Sequence, residues 1–176
     1  MSDSVHPHYQ TQLAYGWIPK DERKAIPTTA RHPYLNIIEG LCLNGDRCVY
    51  QEVDKVNTES ISLFLLELRK RHPEKCYINL IWDRAGYHRD KTIQELAKSL
   101  AIKIHYLPPY SPNLNPIERL WKLMREHVMY NKYYASFEEF TEKILGFFKT
   151  VGRKKTILRA RITDNFQILH SPILAS

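Results

Sequence analysis

Cysteine is scarce: 176 residues carry only Cys42, Cys48 and Cys76, and no two of them form a C-x-x-C pair. That argues against both a zinc site and a disulfide framework. Cys42 and Cys76 sit in apolar runs and read as buried thiols in a reducing compartment. No apolar run approaches the about 18 residues of a spanning helix, so no membrane partner is expected. The opening Met-Ser-Asp-Ser-Val-His-Pro-His is polar and lacks a signal-peptide core, so a cytoplasmic location is the expectation. No internal repeat or low-complexity segment breaks the chain. Acid is in deficit, with 19 Asp and Glu against 26 Lys and Arg and a net charge of +7. A balance of that sign favours a polyanionic partner, most simply nucleic acid, although a merely basic surface fits the same number.

What is present is the composition of a globular domain, 43% hydrophobic and 26% charged. Residues 1–34 are interrupted by Pro7, Pro19, Pro27 and Pro33 around a short apolar island, Tyr15-Gly16-Trp17-Ile18. From residue 35 the patterns sharpen. Leu35–Leu43 and Cys48–Val53 read as strands joined at an Asn44-Gly45 turn. A helix follows, capped by Asn57 or Thr58, with Ile61, Phe64, Leu65 and Leu68 on one stripe, and it ends at His72-Pro73. Tyr77–Trp82 is a nearly unbroken apolar run, as in a strand covered on both faces. A helix carrying Ile93, Leu96, Ala97 and Leu100 precedes a short strand at Lys103–Leu107. Another begins near Asn115, with Pro116 at its first position and Ile117, Leu120, Trp121, Met124 and Val128 on its apolar side. Ser136-x-x-Glu139 is a capping box opening a last helix with Phe140, Ile144, Phe147 and Phe148 inward. Hairpin strands, alternating helices and strands, and terminal helices predict a mixed three-layer α/β domain with parallel pairing beside the hairpin.

Within this frame two acids stand out. Asp83 ends the buried strand, where side chains enter the crevice at the carboxyl edge of a sheet. Capping of the next turn is the stronger reading of Asp83 taken alone. Glu118 falls in the first turn of the Asn115 helix, about 100° round from Ile117, so it flanks the buried stripe. A surface carboxylate favoured by the helix dipole and paired with Lys122 fits that position too. If the two acids meet, they repel one another unless a cation neutralises them, and Mg²⁺ is suited to one or two carboxylates plus phosphate oxygens.

Two segments resemble a known family. They are Trp82-Asp83-Arg84-Ala85-Gly86-Tyr87-His88-Arg89 and Leu107-Pro108-Pro109-Tyr110-Ser111-Pro112-Asn113-Leu114-Asn115-Pro116-Ile117-Glu118-Arg119-Leu120-Trp121. Both are similar to the DDE endonuclease domain of mariner-like insertion-sequence transposases, and the 34 residues between Asp83 and Glu118 fit that family. Asp3-Ser4-Val5-His6-Pro7, followed by Tyr15-Gly16-Trp17, resembles the family's first-acid segment. The resemblance implies a ribonuclease H-like mixed sheet, antiparallel hairpin strands plus parallel strands, flanked by helices. It implies Asp3, Asp83 and Glu118 as catalytic, metal-binding residues for two Mg²⁺ or Mn²⁺ ions. It also implies metal-dependent DNA strand cleavage and strand transfer between element ends and target, by an oligomer that is at least a dimer. A prokaryotic, nucleoid-associated location follows from the same likeness.

The expected division is a ribonuclease H-like catalytic domain over 1–150, shortened at its N-terminus, and a basic tail or helix over 151–176. The family's N-terminal helix-turn-helix domain is expected to be absent, which leaves room for a separately encoded DNA-binding half. Asp3 lies two residues from the start, so much of the first strand is expected to be missing or frayed. Arg84 stands where many relatives carry Asn or Gly, and could pair with Asp83 or meet a phosphate. The alternative function is an inactive transposase fragment that binds DNA or a transposase partner; a general ribonuclease H-like nuclease ranks below it. His88 reads as structural or surface-lying, and His6 and His8 support a metal role only weakly. The basic tail, with Arg153, Lys154, Lys155, Arg159 and Arg161, tracks DNA or forms a solvated face with equal weight. Trp17, Trp82 and Trp121 are expected in the core.

Overall fold

The computed structural model describes residues 1–29, 33–43, 48–83, 90–108 and 114–162. Strand β1 (Ser2–Val5) pairs antiparallel with β2 (Asn36–Leu41), from Ser2 opposite Gly40 to Val5 opposite Ile37. Strand β3 (Cys48–Val53) pairs antiparallel with the other side of β2, from Asn36 opposite Val53 to Leu41 opposite Cys48. The hairpin is as its sequence predicts; its Asn44-Gly45 turn lies outside the described residues. β1 is short but paired at all four positions, so what is present of the first strand is in place.

Helix α1 (Thr58–Arg71) opens on Asn57, whose side chain accepts from the Ser60 N–H while the Ser60 hydroxyl accepts from the Asn57 N–H. This reciprocal cap satisfies two backbone donors that the helix cannot. β4 (Ile78–Trp82), α2 (Lys91–Ser99) and β5 (Ile102–Tyr106) form a crossover unit, and β4 and β5 pair in parallel from Ile78 opposite Ile102 to Trp82 opposite Tyr106. The sheet is thus two pieces, order β1-β2-β3 and β4-β5, that approach each other along β1 and β4.

Alternation along β2 separates two cores. Ile38 faces a cluster with Val49, Ile61, Phe64, Leu65, Leu68, Leu80, Trp82, Ile93, Ala97 and Ile102, under α1 and α2. Ile37 and Leu41 face the opposite cluster, built from α3 (Ile117–Met124), a π-helical continuation over Arg125–Met129, and α4 (Phe137–Val151). The predicted stripe Ile117, Leu120, Trp121, Met124 and Val128 is buried there, with Phe140, Ile144, Phe147 and Phe148. Helix α5 (Lys155–Arg161) adds Leu158 to the same cluster. Gly40 suits the packing: a Cβ there would stand 3.0 Å from the Phe64 ring, tighter than ordinary contact.

Two expectations need correction. Cys76 is exposed and Cys42 only half-buried, because Cys76 falls in the connection between α1 and β4 rather than in the strand. Trp17 is fully exposed, in an irregular segment that no core reaches, whereas Trp82 and Trp121 are buried.

Candidate metal centre

Asp3 sits in the middle of β1 and shares the face of Val5 and Ile37, toward α3. One carboxyl oxygen accepts from the Ser4 N–H at 2.7 Å; the other accepts from the Asn115 side-chain amide, also at 2.7 Å. Burial pushes its pKa up to about 7, and the negative charges of Asp83 and Glu118 push the same way; the two hydrogen bonds oppose the shift. Asp83 follows the last residue of β4 and Glu118 lies in the first turn of α3, both half-buried. The Glu118 carboxyl is raised by partial burial, against the nearby Arg125 guanidinium. Asp83 and Glu118, from two other elements, therefore lie within electrostatic reach of Asp3.

The donor set is what a hard divalent cation takes: carboxylate oxygens whose mutual repulsion a cation relieves. Among the described residues no three His, Cys, Asp or Glu side chains stand at metal-holding spacing. The fit is thus one of charge and donor type.

Asn115 does more than open a helix. It is buried, its carbonyl oxygen accepts from the Ile117 N–H at 3.3 Å, and its amide holds Asp3. One side chain thereby ties β1 to the helix that carries Glu118. Glu39 is the acid that the sequence reading passed over. It is fully buried on β2, directly opposite Asp3. Its carboxyl accepts from the Trp121 indole N–H at 3.1 Å and from the Cys48 thiol at 2.9 Å. The signal was available: in Ile37-Ile38-Glu39-Gly40-Leu41, period two puts Glu39 on the same face as Ile37 and Leu41.

The histidines near Asp3 turn elsewhere. The His6 ring bonds Asn36 and His8 packs against Tyr34, both exposed. Arg84, His88 and residues 109–113 of the Pro-rich turn lie outside the described residues, as does the tail beyond residue 162. Of its basic residues Arg153 and Arg161 are exposed, and Arg161 pairs with Glu126 at 3.5 Å.

An antiparallel hairpin sheet beside a parallel pair, with helices on both faces, is a ribonuclease H-like fold. The chain belongs to the DDE superfamily endonucleases: that family's profile matches residues 1–141. It is 24% identical over 162 residues to the Insertion element IS630 uncharacterized 39 kDa protein of Shigella sonnei, covering 85% of this chain and 44% of that protein. It is 30% identical over 83 residues to the uncharacterized protein y4pE/y4sA of Sinorhizobium fredii, covering 47% of this chain and 59% of that one. The chain spans about half the length of these curated relatives. In fold it is similar to Mos1 transposase in a paired-end complex with the left transposon end, with TM-score 0.63 and 16% identity over 91% of this chain and 52% of that one. A Mos1 mariner paired-end complex with Mn matches equally, again with TM-score 0.63 and 16% identity over 91% and 52%. Among the described residues no helix is long and apolar enough to cross a membrane.

Proposed function

We propose that this chain is the catalytic part of an insertion-sequence transposase, cutting DNA phosphodiesters at the element's ends and joining the freed 3′-hydroxyl to target DNA. The observation that carries the reading is Asp3, whose carboxyl feels both Asp83 and Glu118 although the three acids come from β1, the end of β4 and α3. Membership of an endonuclease family and likeness to a transposase in complex with transposon ends support it.

In this reading Asp3, Asp83 and Glu118 hold the metal. Bound there, a pair of Mg²⁺ or Mn²⁺ ions would supply the charge that activates the attacking oxygen and stabilises the leaving one. The protein's share is placement. Asn115 and the Ser4 N–H fix both Asp3 oxygens, and the first turn of α3 presents Glu118 from a helix anchored in the core. The net charge of +7 favours the DNA backbone. Element-end DNA, target DNA and a second copy of the chain are the proposed partners.

The test is a supercoiled plasmid carrying the element with its flanking DNA, incubated with the protein and Mg²⁺ or Mn²⁺. Metal-dependent strand breaks at the element ends are expected from the wild type. None are expected from Asp3→Asn, Asp83→Asn or Glu118→Gln, each with an unchanged circular dichroism spectrum. Breaks that persist in a folded Asp83→Asn or Glu118→Gln protein would overturn the assignment.

A further inference from the structure

Glu39 is the one ionisable residue among the fully buried polar side chains described; the others are Ser2, Ser60 and Asn115. It stands between Ile37 and Leu41 in a layer that is otherwise apolar on this strand. Burying a carboxyl there is costly, and a leucine of similar volume would pack with less penalty. Stability therefore does not account for it. What the carboxyl does is join elements. Its two oxygens take donors from two different places, Cys48 on β3 and Trp121 on α3. Directly opposite cross-strand residues have Cβ atoms about 4.5–5.5 Å apart, so Glu39 lies beside Asp3 on the same face. Trp121 follows Glu118 by three positions, under one turn, on the same side of the helix.

We propose that Glu39 is a positioning residue for the catalytic acids: by holding the Trp121 indole, it fixes the lateral setting of α3 against the sheet and so the distance from Glu118 to Asp3. This rests on the metal-site reading above, and deepens it. Asn115 pins the start of α3 to Asp3; Glu39 pins it again one turn later. Two pins on a rigid helix set both its translation and its rotation, whereas either alone leaves one free. An apolar contact at 39 would still fill the space but would have no preferred direction, and α3 could slide over β2.

The experiment compares wild type with Glu39→Leu, Glu39→Gln and Trp121→Phe. Three quantities are read: thermal midpoint, Mn²⁺ affinity by calorimetry, and hydrogen exchange of the α3 backbone amides in metal-free protein. Glu39→Leu is expected to change the midpoint little, because relief from burying the carboxyl is offset by the unpaired Trp121 N–H, to weaken Mn²⁺ binding by about 10-fold or more, as loss of outer-shell support does, and to speed exchange along α3. Trp121→Phe, which deletes the indole N–H and keeps a ring, follows it in affinity and exchange, and carries the test if Glu39→Leu does not fold. Glu39→Gln keeps a carbonyl for the indole and restores both quantities toward wild type. Unchanged affinity and unchanged exchange in Glu39→Leu and Trp121→Phe would overturn the proposal. So would a Glu39→Gln protein as impaired as Glu39→Leu beside a normal Trp121→Phe, since charge rather than placement would then matter. If the wild type itself binds no Mn²⁺, the metal reading fails, and the exchange measurement still decides whether Glu39 sets α3.

Discussion

The two faces of the sheet are built on opposite principles. Under α1 and α2 the buried layer consists of aliphatic and aromatic side chains; among the described residues the buried polar ones on that side are Ser60, which serves the α1 cap, and Ser2, whose hydroxyl donates to the Glu39 carbonyl. Under α3 the layer is just as well covered, yet it contains Glu39, the half-buried Asp3 and the buried Asn115 in a connected group. The first face gains free energy from burial alone. The second carries desolvated carboxyls, raised to about 7 at Asp3 and about 8 at Glu39, largely by burial itself. Both faces gain from apolar burial, the α3 cluster being the larger, but only the α3 face also carries buried carboxyls, so α3 must serve packing and chemistry together.

The comparison is broken most forcefully on the apolar side. Phe64 is fully buried and its ring packs on Gly40. Phe64→Ala should cost about 3–5 kcal/mol, from lost transfer energy and the cavity left behind. Urea denaturation measures it, and the surviving folded fraction should bind Mn²⁺ as the wild type does. A loss below about 1 kcal/mol would mean that burial under α1 contributes little to stability.

The acid face answers to pH. In the folded protein Glu39 and Asp3 keep their protons up to about pH 8 and about pH 7, whereas unfolded they release them near 4.5 and 3.8. Between these values the unfolded state binds fewer protons than the native state, so stability falls as pH rises. Below the unfolded values neither group costs anything. The expected outcome is a decline on the order of a few kcal/mol from about pH 4.5 to pH 8, measured by denaturation at a series of pH values. Glu39→Gln should remove its share and flatten the upper part of the curve. A stability that rises across this window would contradict the burial of both groups.

A smaller change sharpens the same face. Asn115→Ala removes the amide bonded to Asp3 and the oxygen that receives the Ile117 N–H. A loss of about 1–2 kcal/mol is expected, the usual consequence of leaving a buried acceptor unpaired. Because the amide favours the charged form of Asp3, the pKa of that carboxyl should move further up, which carbon-13 NMR of labelled aspartate detects.

Much of this was legible in the sequence, for identifiable reasons. Helices α1 and α4 show caps and apolar stripes that coincide, and both are where they were expected, except that the Glu139 carboxylate reaches back to Ala135 rather than to Ser136. The parallel β4–β5 pair follows from the helix between them. What periodicity could not give was direction. Cys76 lies beside an apolar run but just outside the strand, and a shift of two residues moved it to solvent. Trp17 is large and apolar, but its side chain stays exposed among the described residues. The Asp83 and Glu118 spacing was visible; the contact between Asn115 and Asp3, 112 positions apart, was not, because only the folded sheet brings those positions together. Glu39 could have been placed by period two, which puts it on the buried face with Ile37 and Leu41, but its partners Cys48 and Trp121 come together only in the folded sheet.

The smallest test returns to the α1 and α2 face, at the joint between α2 and β5. Ala101 adopts φ 53°, a left-handed conformation in which the methyl group of an L-residue crowds the following carbonyl. The conformation is held from both sides: the Ala101 N–H donates to Lys98 and its carbonyl accepts from Ile78 at the start of β4. Glycine at this position avoids about 1–2 kcal/mol of strain, while the greater freedom it gives the unfolded chain takes back about 0.4–1 kcal/mol. Ala101→Gly should therefore stabilise by about 0.5–1 kcal/mol, raising the thermal midpoint by about 1–4 °C for a chain of this length. Because the joint lies on the face that carries no buried acid among the described residues, Mn²⁺ affinity and the pH profile should not move. A change in either would show that the two faces are mechanically coupled through β4, whose end carries Asp83.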